Sequence, residues 1–306
     1  MRATKAELKG LGLSPVRTED SGITRRRAGK GFCYYTPDGQ KVANDETIER
    51  IRSLVIPPAW TDVWICLNPN GYIQATGRDQ KGRKQILYHP CYRQHREQQK
   101  YQSIAKLRRS IKKVRMVCQA HLRQSGLPKI KVLAMLVRLL DKTLIRIGND
   151  KYAEENGSYG LTTLRNRHVQ IEGGKITFMF RGKSGKDHVV EVADRTLAKH
   201  LQTLKKMPGK RLFQYMHEGE GPVPVSSRDV NNYLKEHGGQ DLSAKAYRTV
   251  GATTMAAALI KERKPKTKKA VKEIIAEVAD TLGNTVTVCQ KSYIDPSVLE
   301  VIETAS

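Results

Sequence analysis

The sequence predicts an α+β protein in two parts: a small antiparallel β-rich N-terminal domain, residues 1–90, and a larger, mainly helical C-terminal domain, residues 91–306. Three observations lead to this prediction. Short β-rich runs separated by turn residues fill the first part. Helical periodicity dominates the second part. Three strand-like runs with glycine-containing turns between them interrupt those helices, which indicates a three-stranded antiparallel sheet within the C-terminal domain.

In the N-terminal part, turn residues separate the predicted strands. "GFCYY" is typical of a strand that enters a Pro-Asp-Gly turn. "DETIERIRSL" has the apolar spacing of a short helix. "DVWICLNPNGYIQATGRD" predicts a β-hairpin, with Asn70 and Gly71 as the signal for a type I′ turn. "GRKQILYHP" extends the sheet as far as Pro90.

From residue 91 onward the pattern is helical. "CYRQHREQQKYQSIAKLRRSIKKV" predicts one long basic helix, and "KIKVLAMLVRLLDKTLIRIGN" places Leu133, Leu136 and Leu140 on one face, as in a core helix. "HVQIE", "KITFMFRG" and "HVVEV" are the three strands. Further helices are predicted in "DRTLAKHLQTLKKM", "SSRDVNNYLKEHG", "SAKAYRTVGATTMAAALIKER" and "AVKEIIAEVADTLG", and a closing helix begins at Pro296.

The charge of the chain predicts a polyanionic partner. There are 55 Lys and Arg against 30 Asp and Glu, a net charge of +25 and a pI near 9.9, and the excess is spread along the whole chain. A folded protein repels itself at such a charge, so nucleic acid is the expected partner. No window approaches 18 consecutive apolar residues and no apolar signal sequence is visible, so we expect no membrane partner and no secretion.

Cysteine and histidine usage gives no sign of a metal or nucleotide site. The five cysteines are scattered without a C-x-x-C motif, which is typical of a reducing cytosol and argues against a disulfide framework. The eight histidines form no H-E-x-x-H motif, and neither a P-loop nor a G-x-G-x-x-G motif occurs. We therefore expect no cofactor, neither ATP nor a metal.

Five residues form the candidate catalytic set: Arg146 near the end of the apolar helix, Lys183 in a hairpin turn, Arg248 in a helix whose predicted N-cap is Ser243, Asn284 after a helix-ending glycine, and Tyr293 in "KSYIDP". Each has an ordinary structural explanation by itself. A tyrosine is most often a packing residue, a turn lysine is usually solvated, and an arginine often binds phosphate without catalysis. Their order and spacing together favour a shared function.

The set resembles the pattern of type IB DNA topoisomerases of the bacterial and poxvirus kind. The family has an Arg, a hairpin Lys, a K-x-x-R motif, and a His or Asn nine residues before the Tyr. Here Lys183 lies 37 positions after Arg146, and Asn284 lies nine positions before Tyr293. "RIGNDKYAEENGSYGLTTLRNRHV", "IPPAWTDVWI" and "GYIQATGRDQKGRKQILYHP" are also similar to family segments, so the resemblance covers about residues 20 to 300.

The resemblance implies the catalytic fold shared by tyrosine recombinases and type IB topoisomerases, and it implies residue roles. Tyr293 would attack a phosphodiester and form a 3′-phosphotyrosine. Arg146 and Arg248 would donate to the non-bridging oxygens, and Asn284 would add a neutral donor. Lys183 would protonate the leaving 5′-oxygen. Strand swivelling and religation would then relax duplex DNA without ATP or an obligatory metal.

Further residues match positions at which the family contacts DNA. In the C-terminal domain these are Gly148, Asn149, Tyr152 and Lys245, which shares a helix face with the second candidate arginine. In the N-terminal domain the matching positions are Arg83, Gln85 and Tyr88. Residue by residue, a solvated basic surface explains them equally well.

Three positions depart from the pattern of related families. Asn284 stands where poxvirus and eukaryotic members have His, although several bacterial members carry Asn. Ile86 replaces a second tyrosine of the poxvirus enzymes, which argues against their pentamer site preference. "KAYRTVGAT" also differs from the commoner string around Arg248, which predicts different packing there.

Two alternatives stay open from the sequence. A site-specific tyrosine recombinase has Arg, Lys and Tyr in the same order, but it typically has H-x-x-R where this chain has Lys245 to Arg248, and it usually carries a helical N-terminal domain. A non-enzymatic duplex DNA-binding protein that keeps the fold is the other. With one complete set of candidate residues per chain we expect a monomer on duplex DNA, cytoplasmic and nucleoid-associated if the chain is bacterial.

Overall fold

The computed structural model describes residues 3–217 and 221–300 and confirms the α+β class. Contacts along the chain divide it into two compact units, with the division between Gln102 and Ser103. The predicted domain boundary after residue 90 lies one helix earlier. In the described part of the chain, no helix has the length and apolar character needed to cross a membrane.

The first unit is built on a five-stranded antiparallel sheet of order β2-β1-β3-β4-β5. Its elements are α1 (Lys5–Gly10), β1 (Gly22–Ala28), β2 (Gly31–Tyr35), α2 (Asp45–Ser53), β3 (Thr61–Cys66), β4 (Ile73–Arg78), β5 (Lys84–Tyr88) and α3 (Pro90–Gln102). Ile51 of α2 packs with Ile23, Val63, Ile65 and Ala75 of the sheet, so one face of the sheet is covered by this helix. The other apolar cluster of this unit joins α1 to α3.

The connection between β3 and β4 is a hairpin, as predicted, but its turn is not type I′. A type I′ turn needs positive φ at both central residues, and neither Asn70 nor Gly71 has one. Six residues connect the strands instead, and the Gly71 N–H donates to the Asn68 carbonyl. A Cβ at Gly71 would collide with the Cys66 sulfur, so close packing is what requires this glycine.

The second unit contains α4 (Ile104–Leu122), α5 (Lys129–Thr143), α6 (Asp150–Asn156), β6 (Val169–Glu172), β7 (Lys175–Arg181), β8 (Asp187–Ala193), α7 (Arg195–Lys205), β9 (Gln214–His217), β10 (Gly221–Pro224), α8 (Ser227–Gly238), α9 (Ala244–Arg263), α10 (Lys268–Leu282), α11 (Val286–Ser292) and α12 (Pro296–Glu300). The predicted three-stranded sheet has the order β6-β7-β8. The single long helix predicted from residue 91 is wrong: Ser103 separates α3 from α4, and the two helices lie in different units.

Helix α5 is the centre of the second unit. Leu136, Leu139 and Leu140 are fully buried, and buried residues occur all around the helix, as expected for an apolar helix enclosed by protein. It contacts α4, α8 and α9. The end of α5 therefore has a fixed position, which matters because the first candidate arginine follows it.

A smaller apolar cluster packs α9 against the C-terminal helices. Ala252 and Ala256 of α9 contact the apolar face of α10, and Cys289 and Ile294 are buried in the same cluster. A Cβ at Gly251 would collide with the Leu144 side chain, so small residues on α9 allow this close approach. The cluster also contacts the Tyr293 side chain and thereby fixes the segment that carries it.

Candidate active site

The C-terminal end of α10 provides the acceptors around which the site is built. Gly283 ends this helix in the left-handed conformation, with φ 62°, and leaves the carbonyls of the last turn without helical N–H partners. The Leu282 and Gly283 carbonyls point toward two guanidinium groups. The partial negative charge at a helix C-terminus favours cations at this position.

Arg146 lies beyond its helix and not within it. Helix α5 ends at Thr143, Leu144 is left-handed with φ 53°, and Arg146 follows in a segment held by backbone hydrogen bonds from Leu161 and Thr162. Its Nη1 donates to the Leu282 carbonyl at 3.4 Å and to the Gly283 carbonyl at 3.1 Å. The break in the helix is therefore what turns this side chain toward α10.

Arg248 is buried, with 4% of its surface exposed. It lies in the second turn of α9, whose N-cap is Ser243 as predicted. Its Nε donates to the Leu144 carbonyl at 2.6 Å, and its Nη2 donates to the Leu282 carbonyl at 2.7 Å. Arg146 and Arg248 thus share one acceptor at the end of α10, which brings the two guanidiniums together.

Tyr293 follows α11 as its C-cap residue and is half-buried. Its hydroxyl oxygen accepts a hydrogen bond from Arg248 Nη1 at 3.3 Å, and the guanidinium carbon lies 5.1 Å from the centre of the phenol ring. The Tyr293 carbonyl accepts from the Thr253 hydroxyl at 3.0 Å, and the Thr253 Oγ1 atom itself accepts from the Asp295 N–H. Both the main chain and the phenol of Tyr293 are therefore positioned by α9.

Asn284 completes the group of four side chains. Its Oδ1 accepts a hydrogen bond from Arg146 Nη2. Its Nδ2 is buried and has no hydrogen-bond partner within the part of the chain that the structure describes. A buried amide nitrogen without an acceptor is uncommon and costs free energy. It is a donor that a bound anionic oxygen would satisfy.

Both guanidiniums keep N–H groups beyond those used to hold them. Each has five N–H donors. Arg146 uses three of them on the Leu282, Gly283 and Asn284 oxygens. Arg248 likewise makes three hydrogen bonds. The remaining donors, with the Asn284 amide, stay available to a bound anion.

Burial lowers the pKa values of both arginines, but the two guanidiniums keep their charge. Burial lowers the pKa of Arg146, and it lowers the pKa of Arg248 to about 10, opposed by the nearby Tyr293 phenol. Both groups therefore stay protonated at neutral pH. Desolvated charges interact strongly with a phosphate because little solvent screens them.

Lys183 is held differently. It lies in the one-turn 3₁₀ segment between β7 and β8, is exposed, and lines the same cleft as Arg146. Among the described residues it has no hydrogen bond or ion pair. The structure therefore links Arg146, Arg248, Asn284 and Tyr293 in one hydrogen-bond network through the end of α10, and it places Lys183 in the lining of the cleft.

The other predicted residues of the second unit lie between α5 and α6, on α6 and at the start of α9. Gly148 has φ 94°, and a Cβ there would meet the Gly160 backbone at 3.1 Å. Asn149 is the N-cap of α6, with its side chain accepting from the Tyr152 N–H, and Tyr152 is 44% exposed. Lys245 is exposed at the start of α9, on the solvent side.

In the first unit, the predicted DNA contacts lie on β5 and the loop before it. The Arg83 guanidinium and the Gln85 amide both bind the Asp79 carboxylate, at 2.6 Å and 2.9 Å. The hydrogen bonds from Arg83 lower the pKa of Asp79 to about 2. Tyr88 is 41% exposed and contacts the Tyr92 ring. Two of these three side chains are thus held by one carboxylate.

Sequence reasoning missed Thr253 and His188. Thr253 reaches Tyr293 from 40 residues away, and a single sequence carries no signal for that contact. His188 lines the cleft with Arg146 and Lys183. Its signal was present in the predicted hairpin, because the register of β7 and β8 pairs it with Phe180, beside the lysine turn.

Two family models match the chain. Residues 89–305 match the model described as eukaryotic DNA topoisomerase I, catalytic core. The chain belongs to the type IB DNA topoisomerase family. Residues 31–79 match the model described as bacterial DNA topoisomerase IB, N-terminal domain. The enzyme therefore acts on DNA, and the recombinase alternative gains no support from these matches.

Curated relatives agree with the assignment. DNA topoisomerase 1B of Acanthamoeba polyphaga mimivirus is 36% identical over 297 residues, which are 92% of this chain and 88% of the relative. DNA topoisomerase 1B of vaccinia virus (strain Copenhagen) is 26% identical over 236 residues, 74% of this chain and 71% of the relative. DNA topoisomerase 1 of Drosophila melanogaster is 26% identical over 261 residues, 81% of this chain and 24% of the relative.

Among solved structures, the XerH site-specific recombinase bound to its difH substrate in a pre-cleavage complex is similar to this enzyme with a TM-score of 0.40 and 15% identity. The match covers 65% of this chain and 52% of the recombinase chain. The post-cleavage complex on palindromic difH has a TM-score of 0.41.

Proposed function

We propose that this type IB topoisomerase cleaves one strand of duplex DNA with Tyr293 as the nucleophile. The observation that supports the proposal is the convergence of two guanidiniums at the tyrosine: Arg248 donates to its hydroxyl and shares the Leu282 carbonyl with Arg146. A tyrosine that only packs does not need two desolvated cations beside its oxygen.

The first step makes one bond and breaks another. The Tyr293 hydroxyl loses its proton to solvent as its oxygen attacks the scissile phosphorus, and the bond from phosphorus to the 5′-oxygen breaks, which leaves a 3′-phosphotyrosine. In the transition state, negative charge concentrates on the non-bridging oxygens. The unused N–H groups of Arg146 and Arg248 and the amide of Asn284 stabilise that charge without reorganising.

Lys183 is proposed as the general acid. The departing 5′-oxygen is strongly basic and needs a proton as it leaves, and a lysine ammonium supplies one. Its exposed position at the edge of the cleft suits contact with a strand that must leave and return. Religation is the reverse reaction: the 5′-hydroxyl returns its proton to Lys183 and attacks the phosphorus, and the bond to the Tyr293 oxygen breaks. The phenol regains a proton from solvent, and no ATP is consumed.

DNA binding is proposed to use both parts of the chain. The charge of +25 supports a phosphate-dominated, salt-sensitive interaction. Gly148, Asn149, Tyr152 and Lys245 are proposed to contact DNA near the scissile phosphate. Arg83, Gln85 and Tyr88 are proposed to contact it from the N-terminal domain, taken as residues 1–90. One complete set of catalytic residues per chain supports a monomer, and the charge supports a place on the nucleoid if the chain is bacterial.

Plasmid relaxation in EDTA without ATP tests the proposal. The wild-type enzyme is expected to relax both positive and negative supercoils, and Tyr293→Phe is expected to relax neither. Tyr215→Phe is the matched control, because its half-buried ring lies on β9 outside the site, and it is expected to retain wild-type activity. Unchanged relaxation by the Tyr293→Phe variant would rule out Tyr293 as the nucleophile.

The polarity of the covalent adduct is a second test. Denaturation of a reaction in progress is expected to leave protein on the 3′ end of the cleaved strand, which differently end-labelled DNA distinguishes. Protein attached to a 5′ end, or a strict requirement for magnesium, contradicts the proposed chemistry.

A further inference from the structure

His188 lies between the hairpin that carries Lys183 and the turn that carries Asn284. Its ring stacks on Phe180, with centroids 5.0 Å apart and planes 8° apart. A Cβ at Gly182, in the hairpin, would lie 2.5 Å from the ring. A Cβ at Gly283, at the end of α10, would also collide with it. The imidazole therefore fills the space between two catalytic segments, and glycine on both sides makes room for it.

A second contact joins the same two segments. Lys186, in the hairpin turn, forms an ion pair with Asp280 of α10 at 2.9 Å, but both side chains are largely exposed. An exposed ion pair contributes little by itself. Stacking on Phe180 fixes the half-buried imidazole within the hairpin. The fixed ring then packs against Gly283, and this packing is the larger contribution to holding the hairpin on α10.

The groups that face His188 are mostly cations. Arg146 after α5, Arg248 on α9 and Lys186 on its own hairpin disfavour its charged form, and Asp280 on α10 favours it. Asp280 is already paired with Lys186. Lys183 lines the same cleft and adds a further positive charge. A protonated imidazole would therefore be repelled from this position.

We propose that His188 is a positioning residue that, in its neutral form, holds the Lys183 hairpin against the turn formed by Gly283 and Asn284. The inference rests on the proposed role of Lys183 as the general acid. Protonation of His188 releases the hairpin, and Lys183 then no longer protonates the leaving oxygen efficiently. The contact between the oxyanion-binding turn and the hairpin of the proton donor is therefore expected to weaken at low pH.

The direction of the pH effect follows from the surroundings. Burial, and then Arg146 and Lys186, lower the pKa of His188 from its ordinary value of 6.5. The docked state therefore binds fewer protons than the released state, so docking is favoured as pH rises. The contribution of His188 to docking of the hairpin is complete at pH values above the ordinary pKa of 6.5, and it is lost as pH falls below that pKa.

The pH profile of single-turnover cleavage is the first test. Between pH of about 7.5 and about 5.5, the wild-type rate on a 5′-oxygen substrate is expected to fall about tenfold and the His188→Phe rate about twofold or less, since phenylalanine keeps the stacking and cannot titrate. His200→Gln is the control, because burial also lowers the pKa of His200 on α7, outside the cleft. An unchanged profile in His188→Phe, or a flattened one in His200→Gln, overturns the proposal.

Substrate rescue is the second test. His188→Ala is expected to cleave a 5′-oxygen substrate about tenfold more slowly, but a 5′-bridging sulfur substrate within about twofold of wild type, because sulfur leaves without a proton. The double variant with Lys183→Ala is expected to be no slower than Lys183→Ala alone. Equal slowing on both substrates overturns the role of His188. If Lys183→Ala itself gains nothing from sulfur, the acid role of Lys183 fails instead.

Discussion

The buried arginines and the exposed lysine of the site are held in opposite ways. Arg248 donates to the Leu144 and Leu282 carbonyls and is 4% exposed. Lys183 lies in a hairpin turn and is exposed. The carbonyls that hold the arginine come from the ends of α5 and α10, whereas the lysine depends on how its hairpin is docked.

The difference corresponds to what each group must do. Charge on the non-bridging oxygens develops at one fixed place, so donors fixed in advance stabilise it best. The proton donor must act on an oxygen that leaves, swivels with its strand and returns. An exposed, flexible ammonium suits that task. The site therefore combines a fixed group of oxyanion-binding donors, formed by Arg146, Arg248 and Asn284, with a general acid, Lys183, that is held by a separate hairpin.

The largest expected effect comes from removing Arg248, one of the fixed donors. Arg248→Ala leaves two buried carbonyls short of a donor, which is expected to lower the free energy of unfolding by about 2 kcal/mol. It is also expected to slow cleavage by at least about 10³-fold on 5′-oxygen and 5′-sulfur substrates alike. Urea denaturation and single-turnover cleavage measure the two effects.

Arg248→Lys is the matched control for charge. It keeps a cation but loses the forked donors, so cleavage is expected to stay strongly impaired. Wild-type cleavage by either variant contradicts the fixed-group interpretation.

Removing the acid is expected to separate activity from stability. Lys183→Ala should slow cleavage of a 5′-oxygen substrate about 10²-fold and recover on a 5′-bridging sulfur substrate. Because the side chain is exposed, the free energy of unfolding should change by less than about 0.5 kcal/mol. A loss of stability comparable with that of Arg248→Ala contradicts the interpretation that Lys183 and the buried arginines are held independently.

Local patterns were enough to predict much of this arrangement. Apolar periodicity and the serine cap predicted α9 with Arg248 near its start, and turn glycines predicted the three-stranded sheet with Lys183 in its second turn. The glycine before Asn284 predicted the end of α10. These features depend on neighbouring residues, which a sequence contains directly.

What holds the side chains was not predictable in the same way. Most acceptors of Arg146 and Arg248 are backbone carbonyls more than 30 residues away, and every residue type has such a carbonyl. The break after Thr143 was also missed, because apolar periodicity continues through Leu144 and Ile145, whose side chains are buried after the helix has ended. Tertiary packing decided both.

A smaller effect is expected from loosening the nucleophile while leaving the arginines in place. The Thr253 hydroxyl donates to the Tyr293 carbonyl and accepts from the Asp295 N–H. Thr253→Val keeps the shape but removes both hydrogen bonds, so cleavage is expected to slow about tenfold and the free energy of unfolding to fall by about 1 kcal/mol. Thr253→Ser should retain most of the rate. Unimpaired cleavage by the valine variant contradicts a positioning role.

The smallest effect is expected next to Arg248 itself. Burial raises the pKa of Tyr247, so its hydroxyl is a donor, and it binds the Asp141 carboxylate at 2.7 Å. Tyr247→Phe removes that bond, while Asp141 keeps its three hydrogen bonds with Arg115. We expect a loss of about 1 kcal/mol in the free energy of unfolding. Cleavage should stay within about twofold of wild type, because Arg248 is held by its own carbonyl acceptors. A drop in cleavage that follows the drop in stability would mean that α9 needs the Asp141 contact to position the Arg248 guanidinium. The contacts that fix Arg248 would then include Asp141 as well as the carbonyls at the helix ends.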